Sequence, residues 1–160
     1  MKHYNEKFGA NRMAQMLPSM KQVGKEHGIQ FSFGGYIGNT FDSHRLIWYA
    51  RRVGGASLQD KMVEALFSAY FEQEQSLGEL HILKECAEKA GMASKDIHVV
   101  LQENSAIGAQ EVQREMRQFR STWNCHGVPM FIIDGKHTLN GAQPPQAFIP
   151  ILEEVIAEKE

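Results

Sequence analysis

Two cysteines, seven histidines and a Val-Pro pair are the residues of this 160-residue chain whose types and spacing bear on chemistry. Cys125 stands four positions before Pro129, in the run Cys125-His126-Gly127-Val128-Pro129. A thiolate is a nucleophile when its pKa is lowered, and full dithiol exchange needs a second thiol to resolve the mixed disulfide. Cys86 and Cys125 are far apart and form no Cys-x-x-Cys. Cys125 therefore reads at most as a lone redox or glutathione-pairing thiol, and the commoner use of such a residue is as a small apolar filler. Cys86, beside Ala87 on a helical face, reads as structural. His126 and His137 lack a third ligand at metal-like spacing, so no metal is expected. Gly34-Gly35-Tyr36-Ile37-Gly38 is not followed by Lys-Ser/Thr, which removes a phosphate loop, and no Gly-x-Ser-x-Gly elbow occurs. Asn39 and His44 form a second candidate pair. A histidine there could tune a thiol or meet an acidic ligand, although both types commonly serve as helix-start or surface residues. Arg45, Arg51 and Arg52 read as a solvated helix face.

The elements that must position these residues are legible in turn. Met13, Met16, Leu17, Met20 and Val23 predict a helical face that Pro18 should kink or split, stopping at His27-Gly28. Ile29, Phe31 and Phe33 alternate with polar residues, as in a short half-buried strand. Asn39 or Thr40 should cap a helix running through Leu46 to Tyr49 and ending at Gly54-Gly55. A further helix follows Ser57, with Met62/Val63, Leu66/Phe67 and Tyr70/Phe71 as its apolar face. Two more carry Leu80, Leu83, Ala87 and Ala90, then Ile97, Val100 and Leu101. A long one, roughly residues 106–123, should turn Val112, Met116 and Phe119 inward. Met130 to Ile133 is an apolar run for a buried strand, and Asp134-Gly135 is a hairpin dipeptide because both positions tolerate positive φ. Lys136 to Leu139 should pair back. Pro144-Pro145 should then start a helix with Phe148, Ile151, Leu152, Val155 and Ile156 on its apolar side. A proline just before a central strand removes a ladder donor, and a cis X-Pro bond at a functional turn is one reason for its presence.

Composition sets the remaining limits. With 42% hydrophobic residues and a formal net charge of −2, the chain has the content of a globular protein and no electrostatic footprint for nucleic acid. No apolar run reaches bilayer length, so no membrane span is expected, and the opening Met-Lys-His-Tyr-Asn-Glu-Lys lacks the apolar core of a secretion signal. Few cysteines and no export signal make a cytoplasmic setting the expectation.

Gly127-Val128-Pro129 with Phe131, then Gly141-Ala142-Gln143, resembles the C-terminal half of a thioredoxin-type fold. More narrowly it is similar to the DsbA-like oxidoreductases of the FrnE type, relatives of 2-hydroxychromene-2-carboxylate isomerase and kappa-class glutathione transferase. Lys7-Phe8-Gly9, Gly38-Asn39-Thr40 with Ser43-His44-Arg45-Leu46, and Ala65-Leu66-Phe67 with Ala69-Tyr70-Phe71 agree in order. The resemblance implies an α/β, mostly helical fold. A helical lead-in (1–28) and an extended segment with a large all-helical insertion (29–126) precede the C-terminal β-β-α part of a thioredoxin-like core (127–160). It implies thiol–disulfide exchange with protein or peptide thiols, the proline loop at Val128 and Pro129 serving as the substrate platform. Asn39 and His44 would lie toward the active-site side. Because relatives open with a strand, a Cys-x-x-Cys helix and a second strand, the chain is expected to be a truncated or non-catalytic member. Its alternatives are an interaction module that self-associates through an uncovered core, or a glutathione-dependent isomerase or transferase relative.

Overall fold

The computed structural model describes residues 10–103 and 105–159. In order these form α1 (Ala10–Glu26), α2 (Phe41–Phe71), α3 (Leu80–Ala90), α4 (Ser94–Leu101), α5 (Ala109–Trp123), β1 (Met130–Ile133), β2 (His137–Asn140), a 3-10 turn (Pro145–Ala147) and α6 (Ile149–Ala157). The chain is thus mostly helical with one small sheet. It divides into two compact units, Met1–Val112 and Gln113–Glu160, the division falling inside α5. The lead-in carrying Lys7-Phe8-Gly9 and the side chain of Met13 lie outside the described residues.

The first unit holds the hydrophobic core. Leu46, Met62, Leu66, Leu83 and Val100 are its largest fully buried side chains, contributed by α2, α3 and α4. At roughly 25 cal/mol per Å² of apolar surface removed from water, each such residue contributes about 1.5–3 kcal/mol. One element supplies two of the core's walls. Helix α2 is broken at Gly55, whose φ of 67° and ψ of −161° lie outside what a side chain tolerates, giving arms at residues 41–54 and 56–71. The first arm brings Leu46 and Ala50 to the core, the second Met62, Ala65, Leu66 and Ala69.

Three expectations for this unit are corrected. Helix α1 runs unbroken through Pro18, because the ring removes one donor at a solvent-exposed position where water can take up the freed carbonyl. Its expected apolar face is only partly covered, and Val23 is 54% exposed. Residues 29–33 form no helix and join no sheet. The Ser32 N–H donates to the Phe71 carbonyl at 2.7 Å, and those of Gln30 and Gly34 to the carboxylates of Glu72 and Glu74, each at 2.9 Å. Two carboxylates and one backbone carbonyl stand where a neighbouring strand would.

In the second unit, β1 and β2 pair antiparallel from Met130 opposite Asn140 to Ile133 opposite His137. The turn is Asp134-Gly135, with φ of 52° and 66°, closed by Lys136 N–H on the Ile133 carbonyl at 3.1 Å. Lys136 belongs to the turn, so β2 starts one residue later than expected. Phe131 meets Phe148 edge to face at 4.9 Å, seating the last helix on the hairpin. Met116, Phe119, Leu152 and Ile156 are 44–59% exposed rather than turned inward. Periodicity identifies apolar helix faces but not whether anything packs on them.

Candidate functional site

Proline 129 enters β1 through a cis Val128–Pro129 peptide bond. The Pro129 carbonyl accepts Gly141 N–H at 2.8 Å, which ties the strand entry to the residue after β2. The left-handed φ of 78° at Gly141 lets the chain leave β2 at that point. Val128, one residue upstream, is 89% exposed, and its backbone has no hydrogen-bond partner among the described residues. An apolar side chain and a free peptide group thus stand in solvent at the mouth of a strand. Chemically this is a place for an extended segment to add main-chain hydrogen bonds.

Cys125 lies on the same loop. Its thiol is partly exposed, and Sγ is 3.4 Å from the Gly127 carbonyl, to which it is placed to donate a weak hydrogen bond. Asn124, at a φ of 52°, and His126 flank it, their side chains joined at 2.7 Å. Both cysteines are free. Cys86 is buried, with Sγ 3.7 Å from the Ala65 carbonyl, and burial pushes its thiol pKa up. It therefore contributes packing and no accessible thiolate.

The far end of the hairpin is clamped to α6 by charge. Lys159 bonds Asp134 at 2.7 Å, and Lys136 pairs with Glu158. The Lys159 ammonium is the main reason that the Asp134 carboxyl titrates below its ordinary value, and the Glu158 carboxylate raises Lys136 above its own. These pairs fix the turn and leave the Val128 end of β1 uncovered.

Asn39 and His44 sit at the start of α2, in the first unit. Thr40 occupies the cap position, but the side-chain bond is made by Asn39, whose Oδ1 accepts Phe41 N–H at 2.9 Å. Ser43 closes the turn onto the Thr40 carbonyl at 2.7 Å. His44 is exposed, and its imidazole has no partner among the described residues. Asn39 is thus occupied with the backbone, whereas His44 is free to meet a ligand. Cys125, Val128 and Pro129 are brought onto one loop of the second unit.

Two arrangements that the sequence does not reveal hold the surroundings of this helix start. Arg45 is buried, not solvated: its guanidinium donates to the carbonyls of Val100 (2.8 Å), Ser105 (2.7 Å) and Ile107 (2.8 Å) and to Asp42 (2.7 Å). One side chain therefore ties Ser105 and Ile107 to the end of α4. The second arrangement is the glycine-rich strap 34–38. A Cβ on Gly38 would lie 2.8 Å from the backbone of Gly78 and 2.7 Å from Ser76 Oγ, so only glycine allows this approach. Glu74 also accepts the Ser32 hydroxyl. The alternation of Gln30, Ser32 and Gly34 opposite Glu72 and Glu74 is the one sequence signal for this clamp. It becomes readable only once the two segments are known to be neighbours.

Among the described residues no group of histidine, cysteine or carboxylate side chains is arranged to hold a metal, and no helix is long and apolar enough to cross a membrane.

Compared with known proteins, the sequence matches the DSBA-like thioredoxin domain over residues 3–152. The chain belongs to that family. Among solved structures it is similar to a probable DsbA oxidoreductase from Streptomyces coelicolor, with 26% sequence identity and a TM-score of 0.84. The match takes in 97% of this chain and 66% of that one, so the chain spans about two thirds of the length of its structural relative. No protein of curated function matches. Family and neighbour together show a thioredoxin-like α/β fold with a helical insertion.

Proposed function

We propose that this member of the DSBA-like family docks extended, cysteine-bearing segments of client proteins at the Val128–Pro129 entry of β1, and that the chain as given completes no two-thiol cycle by itself. The observation that carries the reading is the exposed, unpartnered peptide group at Val128, set at the open end of a strand whose other end is clamped. An extended peptide would take up the free donor and acceptor as an added strand, and the Val128 side chain would supply apolar contact. His44, with its free imidazole, is assigned to client carboxylates, and Asn39 to holding the helix start that presents it. Two unpaired thiols suit a reducing compartment such as the cytoplasm.

The chemistry open to the chain is limited by its thiols. Attack of a Cys125 thiolate on a client disulfide forms one mixed disulfide and releases one client thiolate, and the reaction then stops. Resolution needs a second thiol, which buried Cys86 does not offer. Incubated in reduced form with a disulfide-bonded peptide and no added thiol, the chain should accumulate the Cys125 mixed disulfide, read by mass spectrometry, and release of the fully reduced peptide with an intrachain disulfide would overturn the non-catalytic reading. Docking is tested separately by an NMR titration with an unstructured peptide whose central cysteine is S-methylated. The amides of Cys125, Val128, Met130 and Gly141 should shift, and N-methylation of the peptide's central amide should abolish the shifts. Unchanged shifts with the N-methylated peptide would refute main-chain docking.

A further inference from the structure

Helix α1 and the glycine-rich strap line an open cavity of about 500 Å³ in the first unit, which the docking of client segments does not use. From α1 come Ala14, Leu17, Pro18 and Lys21, residues three and four apart and therefore on one face of the helix. Phe33 and Glu74 supply the rest of the lining, together with Ser32 and Gly34. Glu74 is held in place as an acceptor. Its backbone sits in the left-handed region, at a φ of 57°, a strain that persists where the surroundings over-determine it. Its Oε1 accepts both the Ser32 hydroxyl and the Gly34 N–H, the latter at 2.9 Å. Oε2 has no hydrogen-bond partner among the described residues, and Gly34 keeps it uncovered, since a Cβ there would lie 2.5 Å from it. One carboxylate oxygen serves the fold and the other is left over.

Helix α1 adds a second acceptor. In an α-helix the N–H of residue 18 would bond the Ala14 carbonyl, and Pro18 has none to give, so a carbonyl without its helical donor belongs to the cavity's lining. Lys21 brings the opposite charge. The Glu74 carboxyl is held below its ordinary value first by the Ser32 hydroxyl, then by the Gly34 N–H and, from farther off, by the Lys21 ammonium, which makes no ion pair with it. An anionic and a cationic group thus line one cavity, near enough to feel each other and too far apart to pair, with Leu17 and the Phe33 ring beside them. That arrangement complements a small zwitterion with an apolar group, because a plain cation would meet Lys21 and a plain anion Glu74. We infer that the cavity binds a free α-amino acid with an apolar side chain. Its ammonium sits on Glu74 Oε2 and the Ala14 carbonyl, its carboxylate on Lys21, and its side chain on Leu17 and Phe33. A residue inside a polypeptide carries neither main-chain charge, so this is a site for a small molecule and not for a client chain.

The test is isothermal titration calorimetry on the full chain with L-phenylalanine as the probe. Wild type should bind it saturably. N-acetyl-L-phenylalanine lacks the ammonium and L-phenylalaninamide the carboxylate, and each should bind at least roughly tenfold more weakly. Glycine, which lacks the apolar group, should also bind more weakly. Glu74→Gln keeps an acceptor for Ser32 and Gly34 but removes the charge, and should weaken L-phenylalanine by a similar factor. Hydrogen exchange at the Gly34 amide checks that the strap is still held in that variant. Lys21→Met should weaken L-phenylalanine roughly tenfold and leave its amide unaffected, because the amide has no carboxylate contact to lose. Absence of binding at millimolar L-phenylalanine would overturn the inference. So would an amide or N-acetyl derivative that binds as tightly as the parent, or a Lys21→Met chain that loses affinity for parent and amide alike.

Discussion

Arg45 shows how far a single side chain can depart from its sequence context. Beside Asp42 and near Arg51 and Arg52 it reads as part of a charged surface, because helical spacing reports neighbours on the same helix only. Its real partners are carbonyls more than fifty residues away. Removing it would strand the buried Val100 carbonyl and take the donor from the part-buried carbonyls of Ser105 and Ile107. Arg45→Ala should therefore lower unfolding free energy by about 2–4 kcal/mol in denaturant titrations. Arg45→Lys should recover little of that, since an ammonium cannot reproduce the planar fork. Cys86, by contrast, is buried on its helix as the neighbouring apolar residues imply. With Cys86 buried and its thiol pushed up by that burial, and Cys125 partly exposed, a thiol-specific reagent at neutral pH should label Cys125 well before Cys86. Equal labelling rates in the native protein would contradict the placement of Cys86.

Between residue and fold, the sequence revealed elements better than their surroundings. The Gly54-Gly55 break and the Asp134-Gly135 turn both lie where local backbone chemistry puts them. The stretch 29–33 was misread because alternation says only that a segment is extended, and what accepts its N–H groups depends on the distant Glu72 and Glu74. That dependence has a pH signature. Glu72 is held below the ordinary carboxylate value chiefly by Gln30 N–H, and Glu74 chiefly by the Ser32 hydroxyl and then Gly34 N–H. A depressed folded-state value means that the contribution is present above the unfolded carboxylate pKa and is lost as pH falls through the lowered one. Hydrogen exchange should show protected Gln30 and Gly34 amides from neutral pH down through mild acid, and their release only once the pH falls below the ordinary carboxylate range. Glu72→Ala, which removes the acceptor, should release Gln30 at any pH and leave Gly34 protected. Loss of both amides together would mean that the strap is held by something other than its two carboxylates.

Over the whole chain, the two units differ in how much they enclose. The core residues of α2, α3 and α4 are closed among themselves, whereas residues 113–159 bury nothing completely. Native-state hydrogen exchange should therefore find the slowest amides around Leu46, Leu66 and Leu83, and markedly faster ones in β1 and β2. The family and the proline-gated hairpin were legible because they rest on local residue types. The exposure of Met116, Phe119, Leu152 and Ile156 was not, because hydrophobic spacing carries no record of what, if anything, lies opposite. Gly55 governs the larger geometry. A straight α2 of 31 residues would be a rod of about 46 Å, longer than a small core can line. Folded at that joint, the same stretch lines one pocket of side chains from two directions, so its cohesion comes from contacts close in sequence. The helices of the first unit are therefore built to gather quickly, without waiting on distant parts of the chain.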